Sequence, residues 1–322
     1  MPAFASRFAA VLLLLAAPFA PAAEPPRTVA VTQIVEHPSL DAARRGILDE
    51  LAAAGFASGQ NLKVDYQNAQ GNPATAAQIA RKFVGDRPDV IVAITTPSAQ
   101  AVAAATRELP IVFCSVSDPL AAKLVANLDR PGGNVTGTSD LSPIAEQLDL
   151  IRELSPAAKK LGVIYNPGET NSVSLVGSLK ALAPDKGFQV IEAAAPKSGD
   201  VLSAARQLAG KAEAIYIPLD NTVVSALEAV IKVGREAKIP VYSADTDSVG
   251  RGTVASLGFD YYDVGRQTGQ QVARILRGEK PGDIPVERVK KLNLHLNLQA
   301  AEAMGVSVPD AIRQRAVNLA KP

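Results

Sequence analysis

Residues 89–98 read DVIVAITTPS: five apolar residues, four of them β-branched, then two threonines, a proline and a serine that open a helical pattern over 97–106. A continuous apolar run of this length predicts a strand buried on both faces, because a half-exposed strand would alternate apolar and polar positions. Strand, polar exit and helix together make one β–α unit, and the chain repeats it in both directions. Upstream, TVAVTQI at 28–34 precedes a helix over 40–54 with apolar positions at Ile47, Leu48 and Leu51, and a strand at 62–66 precedes a helix over 74–84. Downstream, Pro110 leads into a strand at 111–114, and the turn Pro131-Gly132-Gly133 into a short one at 135–138. The pattern then restarts, with helices predicted at 145–154, 172–182, 201–208 and 224–237 around strands at 161–165, 188–193, 214–217, 241–243 and 254–257. A long helix over 262–277 stops at Gly278, as expected for a basic last turn followed by glycine. A Pro/Gly linker at 279–285, an alternating strand at 291–297 and a C-terminal helical stretch finish the chain.

Two successive sets of this kind, in a chain longer than one hydrophobic core usually organises, predict an α/β protein of two doubly wound parallel-sheet lobes. The extra elements at the end require the chain to cross between lobes more than once, which makes the connection a multi-crossover hinge. The expected division is 24–140 with 259–283 for the first lobe and 141–258 with 284–322 for the second. Residues 1–23, with Arg7, an apolar run and Ala20-Pro21-Ala22-Ala23, read as a secretory signal peptide. The run is shorter than the ~20 residues that span a bilayer. With no cysteine near that site, a freely soluble periplasmic protein without a lipid anchor is expected.

Composition excludes several classes of function. The 33 basic residues nearly balance 32 acidic ones, and without Arg7 the balance is zero, so no basic excess is available to grip nucleic acid. Cys114, the single cysteine, reads as a buried small hydrophobe within an apolar run. Residues 33–38 stand where a dinucleotide glycine motif would follow the first strand, and no P-loop is present. His37 and His295 are the only histidines, too few for a His-rich zinc site, and neither has a visible nucleophile partner. No enzyme activity, metal or cofactor is expected.

In doubly wound sheets ligands bind beyond the carboxyl ends of the strands. The exit loops there are unusually polar: Glu36-His37-Pro38-Ser39, Thr95-Thr96-Pro97-Ser98 and Ser115-Val116-Ser117-Asp118 in the first lobe, and Glu169-Thr170-Asn171-Ser172, Asp220-Asn221 and Asp245-Thr246-Asp247 in the second. Any one of these residues can be explained as a helix cap. Their concentration at one end of both sheets points to a shared cleft, with His37 a candidate for its lining. Thr96, Ser98, Asn171 and Ser172 place hydroxyls and free amides at helix starts, which attract a carboxylate. Asp118, Asp220, Asp245 and Asp247 can receive an ammonium. Donors facing acids suit a zwitterion, an α-amino acid above all. Tyr66, Tyr165, Tyr216 and Tyr242 are candidate apolar walls.

Several blocks resemble the ABC-transporter substrate-binding proteins typified by tryptophan and tyrosine binders. They include Gln33-Ile34-Val35-Glu36-His37-Pro38-Ser39, Thr96-Pro97-Ser98-Ala99-Gln100, Val116-Ser117-Asp118-Pro119, Tyr165-Asn166-Pro167-Gly168-Glu169-Thr170-Asn171-Ser172, Pro218-Leu219-Asp220-Asn221 and Gly258-Phe259-Asp260-Tyr261-Tyr262. The resemblance implies a type I periplasmic-binding-protein fold with three interlobe crossovers. It also implies an amino acid, aromatic or branched-chain, or a similar small organic ligand, site residues Thr96, Ser98, Ser117, Asp118, Asn171, Ser172, Asp220 and Asn221, and delivery to an ABC permease with its ATPase by a monomeric protein. An exported ligand-sensing subunit using the same clamp is the alternative.

Overall fold

The computed structural model describes residues 25–320; the predicted leader at 1–23 lies outside them. The first run is β1 (Arg27–Gln33), α1 (Pro38–Ala53), β2 (Leu62–Asn68), α2 (Pro73–Asp86), β3 (Val90–Ile94), α3 (Thr96–Ala105), β4 (Ile111–Cys114) and β5 (Val135–Ser139). The second is α4 (Ile144–Leu154), β6 (Lys160–Tyr165), α5 (Thr170–Leu182), β7 (Gln189–Ala194), α6 (Val201–Leu208), β8 (Ala214–Ile217), α7 (Asn221–Ser225), α8 (Leu227–Ala237), β9 (Val241–Ser243), α9 (Asp247–Arg251) and β10 (Ala255–Gly258). Then come α10 (Tyr261–Leu276), β11 (Glu287–Arg288), β12 (Asn293–Asn297), α11 (Leu298–Ala303), α12 (Asp310–Arg315) and β13 (Asn318–Ala320).

The first sheet has the order β11-β5-β4-β3-β1-β2, with every pairing parallel. At its centre β3 is buried along its whole length, as its uninterrupted apolar run requires. A second parallel sheet has the order β7-β6-β8-β9, and a third, β10-β12-β13, joins β10 and β12 antiparallel. Two separate apolar cores follow. One draws on residues 29–135 and 259–286, the other on 144–255 and 294–312. The chain therefore passes between cores three times, after β5, after β10 and after β11. The first sheet holds the chain through β11, just past the return expected at 283. The C-terminal residues expected to be helical include a short strand, β13, which has too few residues to show a period and forms by pairing with β12.

Helix α10 returns to the first lobe by lying against α1, and glycines permit the approach. A β-carbon at Gly265 would fall on the backbone carbonyl of Ala43, and one at Gly269 would meet the Glu50 side chain at 2.6 Å. Two strand exits are conformationally unusual. Thr95, after β3, has φ 77° and Ser115, after β4, has φ 58°. A β-branched residue with positive φ is a true outlier, and such strain of about 1–3 kcal/mol per residue concentrates where a site must be held in a set shape.

Candidate functional site

The carboxyl ends of the two parallel sheets face one another across a narrow interlobe cavity. The first lobe lines it with His37, Ser39, Thr95, Ser115, Ser117, Asp140 and Tyr261, and the second with Asn171, Asp220, Asn221 and Asp245; Leu40, Leu219 and Val224 supply apolar surface. Six of the ten candidates read from the sequence line this cavity: His37, Ser117, Asn171, Asp220, Asn221 and Asp245. Thr96 and Ser98 lie in the first turn of α3, next to Thr95, and the hydroxyls of all three are buried without a hydrogen-bond partner. Ser172 sits one layer back and donates to Asp220 Oδ2 at 2.6 Å.

Asp118 is placed differently from the expectation. It is outside the lining, where its Oδ1 accepts from the Ala121 amide at 2.9 Å and its Oδ2 from Ser174 Oγ at 2.8 Å, so it closes a local turn and ties the first lobe to α5. The acid that faces the cavity from this lobe is Asp140, at the first crossover. Its carboxylate accepts from Ser117 Oγ at 3.1 Å and from Tyr261 Oη at 2.9 Å. The sequence signal for it is faint, a single acid directly after a five-residue strand. The tyrosines expected as walls are engaged elsewhere: Tyr66 with Glu36, Tyr165 with Glu192, Tyr216 with Gln147 and Tyr242 with Ser155. Tyr261 is the aromatic residue of the lining.

The cavity is acidic. Asp140, Asp220 and Asp245 contribute carboxylates, and no lysine or arginine is among the lining residues. Burial pushes the Asp140 carboxyl up to about 6. Burial, reinforced by the nearby Glu169 charge, pushes Asp220 up to about 7, although the Asn166 and Val223 amides and Ser172 all donate to it. Burial holds the His37 imidazole down to about 4, so it is neutral at physiological pH, with its Nδ1 unpartnered. Asn171 Nδ2 donates to the Leu219 carbonyl at 2.8 Å, which leaves its Oδ1 unpartnered. Asp245 accepts from Ser248 N and Oγ in its own lobe and from Ser39 Oγ of the other at 2.9 Å. Gln100 Nε2 adds a bond to Thr170 Oγ1 at 3.2 Å, so the lobes meet both at the cavity floor and at the rim.

A protein-family model described as "ABC transporter substrate binding protein" matches residues 28–320. A tyrosine-binding protein of Clostridioides difficile is 42% identical over 278 residues, 86% of this chain and 81% of that protein. Among solved structures, a conserved domain protein from Vibrio cholerae is 52% identical with a TM-score of 0.90, covering 91% of this chain and 99% of that one. A Streptococcus pneumoniae ABC domain in complex with L-Trp is 35% identical with a TM-score of 0.89, at the same coverage. A ligand-free, open substrate-binding protein with adhesive properties from Clostridium difficile is 39% identical but scores only 0.69, covering 92% of this chain and 100% of that one. In the present structure the lobes are in direct contact, through Ser39–Asp245, Gln100–Thr170 and Ser174–Asp118. The chain belongs to the ABC-transporter substrate-binding proteins and is the substrate-binding component of such a transporter, a two-lobed clamp of type I periplasmic-binding-protein fold.

Proposed function

We propose that the cavity takes the zwitterionic head of an α-amino acid, an aromatic one such as L-tyrosine or L-tryptophan, and that the exported protein delivers it from the periplasm to permease and ATPase subunits. One observation carries the reading: a buried interlobe cavity with three carboxylates, no basic side chain, and unpartnered hydroxyls at a helix start. Buried acids call for a cation, and unpartnered donors beside the first turn of α3 call for an anion. An α-amino acid brings both on adjacent atoms. In this reading the ammonium lies against Asp140 and Asp245. The carboxylate lies toward Thr95, Thr96, Ser98 and the α3 amides. The side chain packs on Tyr261, Leu40, Leu219 and Val224. The tyrosine-binding and L-Trp-bound relatives favour an aromatic side chain.

Calorimetric titration of protein stripped of ligand by unfolding and refolding tests this. One-to-one binding of L-tyrosine or L-tryptophan is expected, with at least a hundredfold loss for tyramine, which lacks the carboxylate, and for 3-(4-hydroxyphenyl)propionate, which lacks the amine. No heat with any amino acid, or equal affinity for either truncated analogue, would overturn the zwitterion reading.

A further inference from the structure

Glu169 is only 7% exposed and stands just outside the cavity lining. It directly precedes α5, yet its side chain does not cap that helix. It crosses instead to the start of α7. Its Oε1 accepts from the Thr222 amide at 3.1 Å and from Thr222 Oγ1 at 2.7 Å. Its Oε2 accepts from Asn221 Nδ2 at 2.6 Å, from the Asn221 amide at 3.3 Å and from Asn171 Nδ2 at 3.4 Å. A carboxylate offers only acceptors, so each group it meets must turn an N–H or O–H toward it. Two of the side chains so turned, Asn171 and Asn221, belong to the lining. The consequence falls on their other ends. With Asn171 Nδ2 held by Glu169 and by the Leu219 carbonyl at 2.8 Å, its Oδ1 is left buried and without a donor. Asn171 is 4% exposed, and a buried acceptor of this kind is normally satisfied, so the donor it lacks must come from what fills the cavity.

We propose that Glu169 is a positioning residue of the binding site: from outside the lining it locks the Asn171 and Asn221 amides by their NH2 groups, so that Asn171 offers the cavity an acceptor for an N–H or O–H of the ligand. In the amino-acid reading, on which this rests, that donor is the ammonium or the side chain's hydroxyl or ring N–H. Glutamine at 169 has one acceptor atom and one donor group. Its Nε2 faces the N–H groups of Asn221, Thr222 or Asn171, so an amide must turn over or a donor go unpaired. Glu169 also lies near Asp220, which lines the cavity and caps α7. Burial first, and then the Glu169 charge, push Asp220 up to about 7. The other titratable side chains of the lining are His37, Asp140, Asp245 and Tyr261. Arg251 reaches the end of α7 through the Val224 carbonyl and is paired with Glu228. Glu169→Gln leaves all of these in place, so a change in how Asp220 titrates reports on Glu169.

Calorimetric titration of the stripped protein tests this. Glu169→Gln should weaken L-tyrosine binding about tenfold. In an Asn171→Ala/Asn221→Ala background the same change should cost less than about twofold, because its effect runs through those amides. L-phenylalanine lacks the side-chain donor and 3-(4-hydroxyphenyl)propionate lacks the ammonium; the tenfold loss should vanish for the one missing the donor that Asn171 meets. In ligand-free protein the Asp220 carboxyl, followed by carboxyl-carbon NMR, should titrate at lower pH in Glu169→Gln than in the parent. Glu169→Asp shortens the side chain but keeps the charge, and should stay near the parent's midpoint, which tells lost charge from loosened packing. If glutamine impairs folding, Thr222→Ala, which removes one donor from Glu169 and nothing from the lining, should still weaken L-tyrosine about threefold. Equal losses in both backgrounds, an equal loss with both analogues, or an Asp220 midpoint unmoved in Glu169→Gln would overturn the proposal. If no amino acid binds the parent, the zwitterion reading fails instead, and the Asp220 titrations decide the role of Glu169.

Discussion

Replacing Asp140 by asparagine should move stability and affinity in opposite directions. The carboxyl is 2% exposed, and burial raises its pKa from 3.8 to about 6, with the bonds from Ser117 and Tyr261 pulling the other way but not compensating. A gap of about two units corresponds to roughly 3 kcal/mol by which folding disfavours the ionised form at neutral pH. The sign is the reverse of a salt-bridged acid. Because the folded value lies above the unfolded one, the acid's contribution is most favourable below pH 3.8, is lost as pH rises toward 6, and stays lost above that. Asparagine keeps the shape without the charge. Asp140→Asn should therefore stabilise the ligand-free protein by up to about 3 kcal/mol at pH 7.5 and by almost nothing at pH 4, as read by chemical denaturation. In the proposed reading the same change removes the charge that would face the ligand's ammonium. A charge-assisted bond is worth roughly 2–3 kcal/mol, so the dissociation constant for L-tyrosine should rise about fiftyfold by calorimetry. A variant less stable than the parent at pH 7.5, or one that binds as tightly, would refute this account of Asp140.

Ser174→Ala deletes the bond to Asp118 that crosses between the lobes, so ligand should bind about fivefold more weakly (roughly 1 kcal/mol) and leave faster in stopped-flow measurements. An unchanged off-rate would show that the rim contact does not hold the lobes shut. Gly265→Ala places a methyl against the Ala43 carbonyl and should destabilise the protein by about 3 kcal/mol in denaturant, because α1 and α10 must separate. The His37 imidazole, held down to about 4 by burial, should show no protonation by NMR between pH 8 and pH 5; a midpoint near 6.5 would contradict its placement.

The alternation of strands and helices could be read from the sequence because it is written in local periods, and DVIVAI needs no distant partner to declare itself a buried strand. The choice among acids was different in kind. Asp118 and Asp140 both follow a strand in a polar context, and nothing within a few residues of either tells them apart. Asp140 is turned to the cavity by its position at a crossover and by bonds from Ser117 and Tyr261, which are 23 and 121 residues away in sequence. Asp220 shows that capping and lining were never exclusive readings: it accepts from the Val223 amide as the N-cap of α7 and also lines the cavity. Whether the tyrosines form a wall or pack in the core stays open in the sequence for a related reason. A tyrosine at a strand end looks equally suited to core or cleft, and the buried pairs Tyr216–Gln147 and Tyr242–Ser155 decide it for the core.

The acids also explain why such a clamp would respond to its ligand. Closing the lobes without a cation gathers Asp140, Asp220 and Asp245 into one cavity that has no basic side chain. Burial raises the first two, and Glu169 adds to the rise of Asp220, so charge there is disfavoured. Interlobe bonds such as Ser39–Asp245 offset part of that cost, but each contributes only about 1–3 kcal/mol. In the proposed reading, an ammonium against Asp140 and Asp245 would supply the missing cation at the moment the lobes meet. The ligand of the proposed reading would then be most strongly held with the lobes together, so the same charges that would select a zwitterion would also couple its capture to closure.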